Sequence, residues 1–276
     1  RVADIVRDAG ADGTRQAVVL SACRGVTDGL YEVLTLAERQ DPAFESRLAE
    51  IRERHIAIAE TVLKPGAAAA YISELKADCR DILGILQTVR LTRSAARNIR
   101  DVVAGYGELW STRLFAALLR EERAAGDGKG EVEWLDARQV LVVEWGPLGP
   151  AVQWEASRER LQARIAPLSD GGPRFVVITG FIASDPQGLQ TTLGRNGSDF
   201  SGSIFGALFE AREIVIWTDV DGVLSADPRL VPDARVIDSL SYTEAMELAY
   251  FGAKVLHPQT MAPAVERGIP IWIRNT

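Results

Sequence analysis

A chain of 276 residues, 47% hydrophobic and 25% charged, is long enough for one two-lobed domain or two small ones, and a sizeable core is expected. The net charge of -7 argues against broad nucleic-acid binding, which demands a basic face, and leaves small molecules as the expected partners. Two cysteines, Cys23 and Cys79, make no disulfide framework; no Cys or His pair has metal-ligand spacing, no secretory signal opens the chain, and no apolar run approaches the roughly 18 residues of a membrane helix. A cytoplasmic location without membrane contact is the expectation.

Val2, Ile5, Val6 and Ala9 recur at helical spacing and Gly10 closes the run. Gln16 to Ala22 reads as a buried strand, and Gly25 to Thr27 leads into a helix from near Asp28. Residues 43–63 and 73–90 carry apolar groups at helical spacing and suggest a helical hairpin, an insertion or lid; His55, on a charge-rich stretch, is expected in solvent. Ser94 is a candidate cap for a helix through Ile99, Val102, Tyr106, Leu109 and Phe115, in which Gly105 and Gly107 each lower helix propensity by about 1 kcal/mol and so want an explanation. Strands are predicted at Val132 to Leu135 and Val140 to Val143, then a helix over Glu155 to Ile165. Phe175 to Phe181 and Leu189 to Leu193 read as strands, Ser198 to Ala211 as a helix and Glu213 to Thr218 as another strand, an α/β pattern with parallel pairing. Ser241 and Glu244 form a capping box for a helix ending near Gly252, and a last helix ends at Gly268 before the strand Ile271 to Ile273.

Four segments could carry chemistry. Gly194-Arg195-Asn196-Gly197-Ser198-Asp199 lies between a strand and a helix, where amides and a helix N-terminus receive an anion and Arg195 can fork onto a carboxylate or phosphate; a capped turn explains it equally well. Trp217 to Leu224, with Thr218, Asp219 and Asp221, follows a strand, and Asp227-Pro228-Arg229 comes next; the acids could orient magnesium or a nucleotide and Arg229 could meet phosphate, or the stretch is a solvated turn. Lys254, one of only four lysines, sits near a helix C-terminus, where it could contact phosphate or simply favour the helix dipole. His257 ahead of Pro258 reads as structural. Ser21 to Thr27 ends a strand and could offer hydroxyls and amides to a carboxylate, with Cys23 a small buried thiol rather than a nucleophile. Glu108, beside Gly107, could bind an ammonium if buried in a cleft, although an isolated helical Glu usually faces solvent. A P-loop, the protein-kinase signatures and the G-x-G-x-x-G turn are all absent from the sequence.

Taken in order, S-A-C-R-G-V-T, G-E, G-R-N-G-S-D-F-S, W-T-D-V-D-G-V, A-D-P-R, S-Y-T-E-A-M-E-L-A-Y-F-G-A-K-V-L-H-P and I-R-N-T closely resemble the aspartate kinases over nearly the whole chain, and most of all the kinase part of bifunctional aspartate kinase/homoserine dehydrogenase. The resemblance implies the amino-acid kinase fold, a three-layer αβα sandwich with a mainly parallel sheet, an aspartate-binding lobe over about residues 1–180 and an ATP-binding lobe over about 181–276. It implies ATP-dependent phosphorylation of the L-aspartate side chain to 4-phospho-L-aspartate, the first step toward lysine, threonine and methionine, with Mg2+ accompanying ATP and NADP involved only if a homoserine dehydrogenase domain follows in the parent protein. It gives Arg195 the substrate α-carboxylate, Glu108 and Asp199 the ammonium, and Ser21 and Thr27 the substrate side of the cleft. Ser198, Thr218, Asp219, Arg229, Lys254 and Val255 would line the nucleotide site. The family's opening K-F-G-G-[TS] strand occurs nowhere here, so the chain is expected to lack a first strand and a C-terminal regulatory region and to turn over poorly by itself. Leu224 stands where the family usually has tyrosine. The parent protein is expected to be a homo-oligomer. Rival readings are an amino-acid kinase for glutamate, a nucleoside monophosphate or carbamate, which the aspartate-side motifs oppose, and a non-catalytic ligand sensor.

Overall fold

The computed structural model describes residues 1–10, 13–125, 132–147, 149–165, 174–194, 196–226, 231–250 and 256–276. Its first half runs α1 (Val2–Ala9), β1 (Gln16–Leu20), α2 (Val26–Glu38), α3 (Ala43–Val62), α4 (Pro65–Thr92), α5 (Arg97–Ala125) and β2 (Val132–Leu135). A 3-10 turn over Ala137–Gln139 leads to β3 (Val143–Gly146), β4 (Gly149–Val152), α6 (Trp154–Ile165), β5 (Phe175–Thr179), β6 (Ile182–Ser184) and β7 (Gln190–Thr192). The remainder is α7 (Gly197–Leu208), β8 (Ile214–Thr218), α8 (Tyr242–Tyr250), α9 (Pro258–Val265) and β9 (Ile271–Asn275).

All five residues of β5 are buried, and the strand pairs in parallel with β1 on one side and β2 on the other. A strand buried on both faces needs a layer against each. Phe175 and Val177 meet α1 and α5 through Val6, Phe115 and Leu119, while Val176 and Ile178 meet α7 and α6 through Ile204, Phe205 and Leu161. The result is the expected αβα sandwich. A second parallel pair, β8 with β9, packs Ile214 and Ile216 against Ala264 of α9 and Ile269, and α7 contacts both β1 and β8. Among the described residues the hairpins β3–β4 and β6–β7 and the single bridge between Leu224 and Val236 are antiparallel, so the run after Phe175 is not uniformly parallel as its α/β pattern suggested.

The helical hairpin is present as α3 and α4, and it corrects the expectation for His55. Phe44, Leu48, Ile51, His55 and Ala59 form one buried stripe at i, i+3 and i+4 spacing, and His55 is fully buried there, edge-on to Trp110 at 5.2 Å. The charges of α3 lie on its other faces. Ser94 is not the cap of α5, whose first residue is Arg97. The strand expected at Val140 to Val143 begins only at Val143, because Asp136 caps the 3-10 turn by accepting the Arg138 N–H and the residues that follow enter the core without a ladder. The capping box forms as expected: the Ser241 N–H donates to Glu244 at 2.7 Å and the Glu244 N–H to the Ser241 hydroxyl at 3.2 Å.

Candidate functional site

The parallel strands β1 and β5 end side by side, and the Gly180 N–H donates to the Leu20 carbonyl at 2.9 Å. A Cβ on Gly180 would lie 2.9 Å from that carbonyl and 3.0 Å from the Ser198 side chain, so only glycine lets the first turn of α7 come down onto this strand edge. The carboxyl edge of a parallel sheet, facing a helix N-terminus, is where α/β proteins receive anionic ligands. Ser198 and Asp199 are both half-buried there, and burial raises the Asp199 pKa above the ordinary carboxylate value.

Across the same edge runs α5. A Cβ on Gly107 would sit 2.7 Å from the Ala22 Cβ and 3.7 Å from the Thr27 hydroxyl, while one on Gly105 would sit 2.8 Å from Ile182 and 2.4 Å from the flexible end of Gln190. The two mid-helix glycines thus trade propensity for close approach to the loop after β1 and to the β6–β7 hairpin. That approach buries Glu108, which is 2% exposed. Its Oε1 accepts the Ala22 N–H at 3.3 Å, and its Oε2 is buried without a hydrogen-bond partner. Burial pushes its pKa up to about 8, opposed only by that backbone N–H and its own, so the protein's own surroundings favour the protonated form of Glu108 at neutral pH. The Ser21–Thr27 loop is fixed from two further sides: Ser111 donates to the Ser21 carbonyl at 2.8 Å and Arg54 to the Arg24 carbonyl at 2.7 Å. Ser21 itself is exposed and Thr27 half-buried. Cys23 is partly buried with its pKa raised by burial, as suits an inert thiol.

Thr218 ends β8 and Asp219 follows it, with the Thr218 hydroxyl 3.4 Å from Asp219 Oδ1, and Asn275 donates to Asp221 at 2.7 Å. Leu224 is half-buried and bridges Val236 through its backbone. His257 caps α9 by accepting the Gln259 N–H, the structural role expected of it. The structure therefore brings Ser21, Thr27, Glu108, Ser198 and Asp199 to one sheet edge, with Thr218 and Asp219 at the end of the other parallel pair that α7 covers. Arg195, Arg229, Lys254 and Val255 lie outside the described residues. Among the described residues no group of three His, Cys, Asp or Glu side chains is arranged to hold a metal ion, and no helix is long and apolar enough to cross a membrane. Ser111 was missed by sequence reasoning; its place one turn beyond Glu108 was the available signal.

The family described as the amino acid kinase family matches residues 1–275. Bifunctional aspartokinase/homoserine dehydrogenase 1, chloroplastic, of Arabidopsis thaliana is 40% identical over 274 residues, covering 98% of this chain and 28% of the relative. Lysine-sensitive aspartokinase 3 of Escherichia coli is 36% identical over 280 residues, 100% of this chain and 58% of its own length. The crystal structure of E. coli aspartokinase III in complex with aspartate and ADP superposes with a TM-score of 0.83 at 33% identity, over 99% of this chain and 57% of that one. The chain thus spans between about a quarter and three fifths of the length of these relatives.

Proposed function

The chain belongs to the amino acid kinase family, and on that premise we propose that it is the catalytic part of an aspartate kinase, transferring the γ-phosphoryl group of ATP to the side-chain carboxylate of L-aspartate. The observation that carries this reading is Glu108: a carboxylate buried beside the strand edge, one oxygen without a partner, is matched by a small cation such as an amino acid's ammonium. The relatives' names and the aspartate and ADP bound to the E. coli structure support the same substrates. Asp199, half-buried at the first turn of α7, shares the ammonium with Glu108, Arg195 takes the α-carboxylate, and Ser21 and Thr27 flank the substrate. The nucleotide lies toward Ser198, Thr218, Asp219, Arg229, Lys254 and Val255, with Mg2+ arriving as part of the ATP complex and the acidic Asp219–Asp221 turn the donor set suited to it. Residues from about 1 to 180 form the aspartate lobe and those from about 181 onward the nucleotide lobe. In the parent protein a cytoplasmic homo-oligomer completes the reading, with 4-phospho-L-aspartate feeding lysine, threonine and methionine synthesis.

In this reaction the aspartate β-carboxylate attacks the γ-phosphorus, the bond to the β–γ bridging oxygen breaks, and ADP leaves with the electron pair. A carboxylate is already ionised at neutral pH, so no general base is needed. The protein's task is to align two anions and offset the charge between them, which helix N-termini and cationic side chains do. A panel of acceptors comprising aspartate, glutamate, a nucleoside monophosphate and carbamate, assayed with the protein as its gene encodes it by ADP release for every acceptor and by hydroxamate trapping where the product is an acyl phosphate, tests the reading. Trapped product with aspartate alone is expected; turnover of another acceptor in preference to aspartate overturns it. Arg195→Ala is expected to raise the aspartate KM steeply, and unchanged kinetics would remove that assignment.

A further inference from the structure

We propose that Trp145 is a positioning residue: through Thr191 and Asp101 it ties the backbone at Gly194, and with it the first turn of α7, to the same helix that carries Glu108. The inference rests on the reading that Asp199 and Glu108 share the substrate ammonium, and it names what fixes their separation.

The connection is a directed chain of hydrogen bonds. Trp145, on the β3–β4 hairpin, donates its indole N–H to the Thr191 hydroxyl at 3.0 Å, and that hydroxyl lies 3.4 Å from Asp101 Oδ2 as donor. The neighbouring Thr192 hydroxyl donates to Asp101 Oδ1 at 3.1 Å. Asp101 is 7% exposed, so these two hydroxyls are what satisfy a buried carboxylate, helped at longer range by Arg97 at 3.9 Å. Asp101 and Glu108 are seven residues apart on α5, two turns along one face. One end of that face grips β7 and the other grips the loop after β1.

The indole ring does the second half of the work. The Arg97 guanidinium stands 3.7 Å from the ring centroid, within cation–π range. Gly194 has φ +74, and a Cβ placed on it would lie 3.4 Å from the far edge of the ring. Trp145 is therefore held against the backbone where β7 turns toward α7, and the Gly197 N–H donates back to the Gly194 carbonyl at 3.1 Å to close that turn. Trp145 is 38% exposed, a large aromatic kept at the surface by a hydrogen bond and a stack rather than by burial. Such a residue contributes little core stability, so its effect is expected in ligand binding.

Trp145→Phe keeps an aromatic face but removes both the donor and the outer ring edge that meets Gly194; Thr191→Val removes the accepting hydroxyl alone. Each is expected to weaken aspartate binding by about fivefold, the worth of one neutral hydrogen bond, and the double variant to be no weaker than the worse single. Affinity for ADP falls by less than affinity for aspartate, and the unfolding midpoint shifts little in Trp145→Phe, whose side chain is partly exposed, whereas Thr191→Val, which strips a partner from the buried Asp101, lowers it. In the ligand-free chain, amide exchange at Gly197 and Ser198 quickens in both variants and in Trp145→Ala. Wild-type aspartate affinity in Trp145→Ala, or equal losses for aspartate and ADP together with a lowered midpoint, overturns the proposal. Should the unaltered chain fail to bind aspartate, the ammonium reading falls instead, and unchanged exchange at Gly197 and Ser198 then overturns the positioning role independently.

Discussion

Replacing Glu108 by glutamine keeps the shape of the side chain and the acceptor for the Ala22 N–H while removing the ability to ionise. In the folded chain the Glu108 pKa stands at about 8 against an ordinary 4.5, so between these values the folded state binds a proton that the unfolded state has lost. The contribution of Glu108 to stability therefore falls as pH rises from about 4.5 to about 8, and above both values the buried carboxylate costs the fold on the order of 4–5 kcal/mol. Below pH 4.5 the neutral acid and the amide bury comparable donors and the two proteins should unfold alike. The expected result, read by urea unfolding at pH 4.5, 7 and 9 without ligand, is a difference in favour of Glu108→Gln that is near zero at the acid end and reaches on the order of 2–5 kcal/mol at the alkaline end. The same variant should weaken aspartate binding steeply, since the amide carries no charge and, with its oxygen on the Ala22 N–H, turns an NH2 donor toward the ammonium. A stability difference that does not change with pH, or a destabilised variant at pH 9, would refute the claim that Glu108 is an uncompensated buried acid.

Gly107→Ala gains up to about 1 kcal/mol of helix propensity but places a methyl 2.7 Å from the Ala22 Cβ, so it should lower the unfolding midpoint and weaken aspartate binding, both measurable on one sample. Ser111→Ala removes the bond to the Ser21 carbonyl and should cost about 1 kcal/mol of stability with a larger relative loss of aspartate affinity than of ADP affinity. Burial lowers the His55 pKa from its ordinary 6.5, so protonation works against the fold; the contribution of His55 to stability should decline as pH falls below about 6.5, and His55→Leu should remove that part of the decline in acid-unfolding curves.

Local signals in the sequence were strong where one segment carries its own instructions. The run from Phe175 to Phe181 reads as a strand and forms one over Phe175–Thr179, Ser241 with Glu244 reads as a capping box and forms it, and the helix expected from Ser198 does open at a strand edge. Where a residue's fate depends on distant partners, the sequence was silent or misleading. His55 looked solvated because its neighbours in sequence are charged, yet the hairpin partner and Trp110 cover it. Strand β3 starts later than its apolar run because Asp136 stabilises a competing turn. The Trp145–Thr191–Asp101 chain joins three elements up to 90 residues apart in sequence, and no local pattern announces it. Glu108 was visible as a candidate through Gly105 and Gly107, but its orphaned oxygen depends on how closely α5 approaches Ala22.

The central claim is that Glu108 and its strand edge hold the ammonium of a small dicarboxylic amino acid. Calorimetric titration of the chain at pH 7 with L-aspartate and with succinate, which lacks only the ammonium, in buffers of differing ionisation enthalpy, addresses it directly. Aspartate should bind with release of close to one proton as Glu108 ionises against the cation, and succinate should bind far more weakly without that release. Equal affinity for the two ligands, or aspartate binding with no proton released, would contradict the account.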